Sequence, residues 1–162
     1  MPLLIRPATP ADVPTVLQFI RDLAEYERRP HEVVATRELV HDSLFGDWPA
    51  AEVLLAERDG EAVGFALFFH NYSTFLARRG LYLEDLFVRP EQRGRGVGRA
   101  LLARLAALAL ERGCGRFEWS VLDWNESAIR FYESLGAVPL SEWTTYRVTG
   151  DALERLASES AR

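Results

Sequence analysis

A chain of 162 residues, 48% hydrophobic and 27% charged, can bury a sizeable core and suits a single globular domain, 1–162. Its net charge of −5 argues against a general nucleic-acid binder, whose affinity comes from neutralising phosphates. All 19 basic residues are arginine, the one cysteine, Cys114, can form no internal disulfide, and no apolar run is long enough to span a bilayer. Met1-Pro2-Leu3-Leu4-Ile5-Arg6-Pro7 lacks the layout of a signal peptide, so the expected setting is the cytoplasm, with no nucleic-acid or membrane partner.

Leu3–Arg6 reads as a short first strand. Thr9-Pro10-Ala11-Asp12 is a helix start, with a hydroxyl cap, proline in the first turn and an acid three places on. Val13, Val16, Leu17, Ile20, Leu23 and Ala24 then recur on one helical face, which ends near Tyr26-Glu27-Arg28-Arg29 before Pro30. Thr36–Phe45 is expected as a second helix. Glu52–Arg58 and Glu61–Asn71 read as strands joined by a hairpin at Asp59-Gly60, followed by a loop over 71–80.

Leu81–Val88 is apolar, short and rich in branched and aromatic residues, the pattern of a buried strand. Leu101, Leu102, Leu105 and Leu108 have helical spacing, and Gly113 stops that helix. Between strand and helix runs Arg93-Gly94-Arg95-Gly96-Val97-Gly98-Arg99. Glycines let successive N–H groups converge, and a helix start adds partial positive charge, so this turn is a candidate phosphate cradle. It is not a Walker loop, because Gly98 is followed by Arg99 and Ala100. Nor is it a dinucleotide fingerprint, because the third glycine position is Arg99 in one register and Leu101 in the other.

Arg116–Leu122 is expected as the next strand, and Asn125 as the cap of a helix that runs to Leu135 before Gly136. Val138–Leu140 and Thr144–Thr149 read as two closing strands, and Ala152–Ala157 as a terminal helix. The fold class is therefore α/β (α+β): a mixed, mostly antiparallel sheet with helices on both faces.

Two segments carry a family resemblance. Arg93, Gly96 and Gly98 fit Arg-x-x-Gly-x-Gly, and Asn125, Ala128, Phe131, Tyr132 and Gly136 fit Asn-x-x-Ala-x-x-Phe-Tyr-x-x-x-Gly. Together they resemble the GNAT superfamily of N-acetyltransferases. Arg6-Pro7-Ala8-Thr9, Leu23-Ala24-Glu25-Tyr26-Glu27, Tyr82-Leu83-Glu84-Asp85-Leu86-Phe87-Val88 and Asp123-Trp124-Asn125-Glu126 look like its diamine and polyamine branch, which includes spermidine/spermine and thialysine acetyltransferases. The polyamine enzymes are expected to carry an acid and a tryptophan before the central strand. Asn71-Tyr72-Ser73-Thr74-Phe75-Leu76 has neither, which makes the thialysine-like subgroup the nearer resemblance.

The resemblance implies acetyl-CoA as co-substrate and a homodimer. It implies that Leu86, Phe87, Val88, Arg93, Gly94, Arg95, Gly96, Val97, Gly98 and Arg99 meet the cofactor, with Asn125, Ser127, Ala128 and Tyr132 beside it. The backbone N–H near Val88 would hold the thioester oxygen, and Tyr132 would protonate the departing sulfur. An alkyl ammonium has a pKa near ~10.4, so freeing its nitrogen at pH 7 costs about 4.6 kcal/mol. A base must take that proton. Glu84, a carboxylate in an apolar strand just ahead of the cradle, is the candidate; its neighbour Asp85 would point to the opposite face of a regular strand. An acid at either place could instead only bind the substrate cation. Tyr26, Glu27, Glu118, Trp119 and Ser120 are further candidates for the amine pocket. His31, His41 and His70 lack metal spacing, so no metal is expected, and Cys114 reads as a small structural residue. The expected activity is acetylation of a primary amine on a small cationic molecule. The alternatives are a protein or peptide N-acetyltransferase and a non-catalytic acyl-CoA sensor.

Overall fold

The hairpin that starts at Glu52 forms the centre of the sheet. In the computed structural model, which describes residues 2–161, β2 (Glu52–Arg58) and β3 (Glu61–Ser73) pair antiparallel across Asp59-Gly60. β1 (Leu3–Pro7) joins the outer edge of β2, and β4 (Arg78–Val88) pairs antiparallel with β3. β5 (Phe117–Trp119) runs parallel to β4, giving the order β1-β2-β3-β4-β5. The sheet is mixed and mostly antiparallel, as the sequence leads one to expect.

Side-chain alternation assigns the two faces. Leu55 lies opposite Phe65, and Phe65 opposite Phe87; with Val53 they pack against α1 (Val13–Tyr26) and α2 (Arg37–Phe45). Gly64, one residue from Phe65 and so on the opposite face, is covered by Val97 of α3 (Val97–Glu111). Leu101, Leu102 and Leu105 of α3 are buried in the same way. Each such fully buried side chain stabilises by roughly 1.5–3 kcal/mol. Phe19, which the expected apolar stripe omits, is buried and stacks on Phe65 at 5.3 Å. It lies three residues past Val16 and four before Leu23, so a stripe wider than the one expected brings it inward.

The chain divides into two compact units, one ending at Leu122 and one beginning at Asp123. The first holds the sheet with α1, α2 and α3; the second holds α4 (Glu126–Ser134) and α5 (Gly150–Ser158).

Three expectations need correction. The loop over 71–80 is largely strand: Asn71, Tyr72 and Ser73 pair with Gly80, Arg79 and Arg78. Ladder hydrogen bonds hold these polar residues where apolar alternation gives no signal, and the Ser73 hydroxyl accepts from the Leu76 N–H at 3.2 Å to close the turn. The strand expected over Arg116–Leu122 contracts to Phe117–Trp119, because β4 offers only Leu81–Leu83 as partners. Val138–Leu140 and Thr144–Thr149 form no strand. Their alternation is suitable, but no neighbouring strand supplies a ladder, and Val138, Trp143 and Tyr146 remain exposed.

Candidate active site

A break in the β3–β4 register creates the site. Leu67 faces Asp85, the next residue Phe68 faces Leu83, and Glu84 is left without a partner. A bulge of this kind re-aims the side chains around it. The expectation of Glu84 and Asp85 on opposite faces belonged to a regular strand, and the bulge breaks that regularity at Glu84. Tyr82 pairs with Phe69 and Asp85 with Leu67, and Leu67 and Phe69 are two residues apart on one strand. Asp85 and Tyr82 therefore share a face, the one that carries Phe65, Phe87 and α1.

The end of α1 brings a further acid close to Asp85 and Glu84. Glu27, the residue after Tyr26, raises the Asp85 pKa, and Glu84 raises those of both Asp85 and Glu27. Burial is the largest cause at Asp85, followed by Glu84 and Glu27, and its carboxyl is pushed up to about 7. Glu27 is also raised, chiefly by burial, with Arg29 opposing and Glu84 adding. Glu84 itself is exposed and Asp85 half-buried.

β5 extends this surface. The Tyr82 and Ser120 hydroxyls lie 2.8 Å apart, and Asn71 Nδ2 donates to Glu118 Oε1 at 3.4 Å. Ser120 and Glu118 thus join Asp85 and Glu27 on one side of the sheet. Trp119 alternates to the other side with Phe117, ring centroids 4.9 Å apart, so it does not share the acids' face. Asn71 and Tyr82 were missed in the sequence. A regular reading of β4 puts Tyr82 across the strand from Asp85, and only the bulge unites them.

The glycine turn follows the C-terminal end of β4. After a short 3-10 turn, Pro90–Gln92, the chain passes through Gly94 at φ 73° and Gly96 at φ 82° into α3. Both conformations are left-handed and favour glycine. A Cβ added at either position would meet nothing within 4 Å, so both glycines face open space. The first α3 bond beyond the loop is Ala100 N–H to Gly96 carbonyl, 3.0 Å, which leaves the N–H groups of Val97, Gly98 and Arg99 without an intrahelical partner. Open space, unspent donors and flanking Arg95 and Arg99 fit a diphosphate.

Arg93 connects this loop to the acid-lined face. Its Nε donates to the Val88 carbonyl at 3.0 Å, and its guanidinium lies 4.8 Å from the Tyr26 ring centroid and 5.3 Å from that of Phe87. The Val88 N–H is available too. Arg89 N–H bonds the Val63 carbonyl at 2.9 Å, so by antiparallel alternation the adjacent Gly64–Val88 pair is a non-hydrogen-bonded one. That turns the Val88 N–H towards the β5 side, where pairing ended at Leu83. Two of the expected cofactor residues can serve only through backbone. Phe87 is buried against Phe19, ring centroids 6.0 Å apart, and the Val97 side chain is core. Leu86 is half-buried opposite Ala66.

In the second unit Asn125 caps α4, its Oδ1 accepting from the Ala128 N–H at 3.4 Å, with the Ser127 hydroxyl 3.5 Å away. Tyr132 is half-buried on that helix beside Phe131, ring centroids 5.7 Å apart.

Residues 20–137 match the model of the acetyltransferase (GNAT) family. This chain belongs to that family. As a GNAT acetyltransferase it is 39% identical to the thialysine N-epsilon-acetyltransferase of Sus scrofa, over 96% of this chain and 98% of that protein. It is 36% identical to the L-ornithine N5-acetyltransferase of Arabidopsis thaliana, over 94% and 86% of the two chains. Among solved structures, an integron cassette protein from the mobile metagenome of V. cholerae superposes with a TM-score of 0.82 at 26% identity, over 98% and 99% of the two chains. For a GNAT acetyltransferase the bulged strand has a direct consequence. It sets Glu84 and Asp85 just before Val88, the last residue of β4, and the open glycine loop follows that same end, so the Val88 N–H lies between the acids and the loop. Among the described residues, no helix is long and apolar enough to cross a membrane.

Proposed function

We propose that this GNAT enzyme acetylates the side-chain amine of a thialysine-like amino acid or a short diamine, using acetyl-CoA, by direct attack in a ternary complex. The observation that carries the reading is the gathering of Glu27, Glu84 and Asp85 at the β4 bulge. Three carboxylates on a partly desolvated face attract a compact cation and can relieve it of a proton. The amine substrates in the names of the pig and Arabidopsis relatives support the same class.

Acetyl-CoA, when bound, supplies an acyl group activated by a thiolate leaving group. The chain's own parts then divide the work. The loop from Arg93 to Gly98 and the first turn of α3 hold the diphosphate. The Val88 N–H meets the carbonyl oxygen as negative charge develops there. Glu84, exposed at the bulge, contacts the ammonium, and Asp85, with a pKa near the working pH, shares the proton with it. Tyr132 protonates the departing sulfur. Approximation of amine and thioester supplies much of the remaining acceleration. This reading takes residues 1–162 as one functional domain, working as a homodimer in the cytoplasm; size-exclusion light scattering tests the dimer.

A panel of amines assayed with acetyl-CoA by mass spectrometry tests the function. Thialysine, ornithine and short diamines should exceed spermine in kcat/KM. A clear preference for spermine or for peptide N-termini would overturn the substrate class, and absence of turnover with every amine would favour a sensor.

The cradle has its own check. Gly96→Val puts a β-branched residue at φ 82° and a side chain into open space. We expect local strain of about 1–3 kcal/mol, a retained fold, and CoA affinity down by about tenfold or more, read by calorimetry. Unchanged affinity in a folded variant would remove the loop from the site.

A further inference from the structure

One corner of the cradle holds positive charge that no carboxylate among the described residues neutralises. Arg58 ends β2, and its Nη1 donates to Gln92 Oε1 at 2.6 Å. Arg95, between the two left-handed glycines, donates its Nη1 to the same oxygen at 3.3 Å. Two guanidinium groups thus converge on one neutral amide. Among the described residues neither has a carboxylate within ion-pair distance, although Arg6, Arg29, Arg104, Arg112 and Arg130 all do. Arg58 Nε is moreover buried without any hydrogen-bond partner, alone among the buried side-chain polar atoms described.

This arrangement is unfavourable on its own terms. Like charges brought together around a neutral acceptor repel, and a partly desolvated cation with an unspent donor forgoes hydration without compensation. An anion is the partner that reverses both costs. Its place is set by Gln92, which closes the short turn leading into the loop and locks Arg58 and Arg95 side by side at the edge of the diphosphate cradle. In coenzyme A a second phosphate lies next to the diphosphate: the 3′-phosphomonoester, one ribose ring away and doubly charged near neutral pH.

We propose that Arg58 and Arg95 bind the 3′-phosphate of coenzyme A, with Gln92 as the positioning residue between them. The inference rests on the acetyl-CoA reading above. It makes the enzyme selective for the complete nucleotide over its dephosphorylated precursor, and it assigns a binding role to Arg58, a residue at the end of a strand outside both sequence motifs. Arg89, close by in sequence, is engaged differently: its Nε donates to the Ala62 carbonyl at 2.8 Å and its guanidinium lies over the Phe19 ring at 5.2 Å.

Calorimetric titration of the whole protein with CoA and with 3′-dephospho-CoA separates the possibilities. The wild type should bind CoA roughly tenfold to a hundredfold more tightly, the range for charge-assisted hydrogen bonds. That preference should shrink as salt rises. Arg58→Gln should weaken CoA binding and leave dephospho-CoA binding nearly unchanged, so the gap narrows from one side only; Arg95→Gln, whose guanidinium also flanks the diphosphate, should weaken both and still narrow the gap. Gln92→Leu should narrow it as well, since both arginines lose their shared anchor. Equal affinity of the wild type for the two nucleotides would overturn the 3′-phosphate site while leaving the acetyl-CoA reading in place. Failure to bind either nucleotide would instead overturn that reading. A gap that survives both arginine substitutions in folded protein, checked by thermal melting, would assign the phosphate to other residues.

Discussion

Tyr132→Phe is expected to lower kcat by roughly 10²–10⁴-fold, the scale of a positioned proton donor. The substitution removes one oxygen and keeps the ring that lies beside Phe131 on α4. If the residue served packing alone, the half-buried ring would still fill its place and turnover would hardly change. The proposed role differs, because charge develops on sulfur as the amine displaces it, and a thiolate leaves more readily when a proton is delivered. The phenol hydroxyl is the proton source in this role. The hydroxyl acts mainly as the transition state forms, so the KM for acetyl-CoA should change far less than kcat. Single-turnover measurements isolate the chemical step. Near-native single-turnover rates in the folded variant would exclude Tyr132 as the acid.

Local chemistry was legible where the signal was local. Thr36 accepts from the Leu39 N–H at 3.2 Å at the start of α2, and Asn125 caps α4, both as their side chains allow. The glycine loop was legible for the same reason: its spacing, its arginines and the leucines of the following helix lie within one continuous stretch. What escaped was set by pairing between distant segments. Nothing in Leu81–Val88 announces that Phe68 will pair with Leu83 while Leu67 pairs with Asp85, yet that slip decides which acids share a face. The two closing strands failed for the converse reason. Their apolar alternation was real, but a strand also needs a neighbour for its backbone groups. Arg58 lies outside both motifs, and its tie to Gln92 spans 34 positions of sequence.

Asp85→Asn should abolish an acidic limb in the pH profile of kcat/KM and lower kcat by about 10²–10⁴-fold, while making the protein more stable at alkaline pH. The Asp85 carboxyl is raised from 3.8 to about 7 by burial, then by Glu84 and Glu27. Activity that requires its ionised form must rise with pH through about 7, well below the amine's own limb near ~10.4. The stability effect has the opposite sign. A raised carboxylate binds more protons folded than unfolded between pH 4 and 7, so its contribution is fully present below about 4 and is lost as pH rises through 7. At about 1.4 kcal/mol per pH unit, the accumulated loss above pH 7 is of the order of 4 kcal/mol, and asparagine, which does not ionise, avoids it. Thermal melts should therefore show Asp85→Asn gaining over the wild type from pH 4 to pH 8 and then levelling off. Glu84→Gln distinguishes the partners. Removing the Glu84 charge takes away one of the causes that raise Asp85, so the limb should move to lower pH rather than vanish. If Glu84 only binds the ammonium, KM for the amine rises and kcat holds; if it also carries the proton, kcat falls with it. A limb that persists unshifted in Asp85→Asn, with turnover intact, would show that the proton leaves the amine by another route.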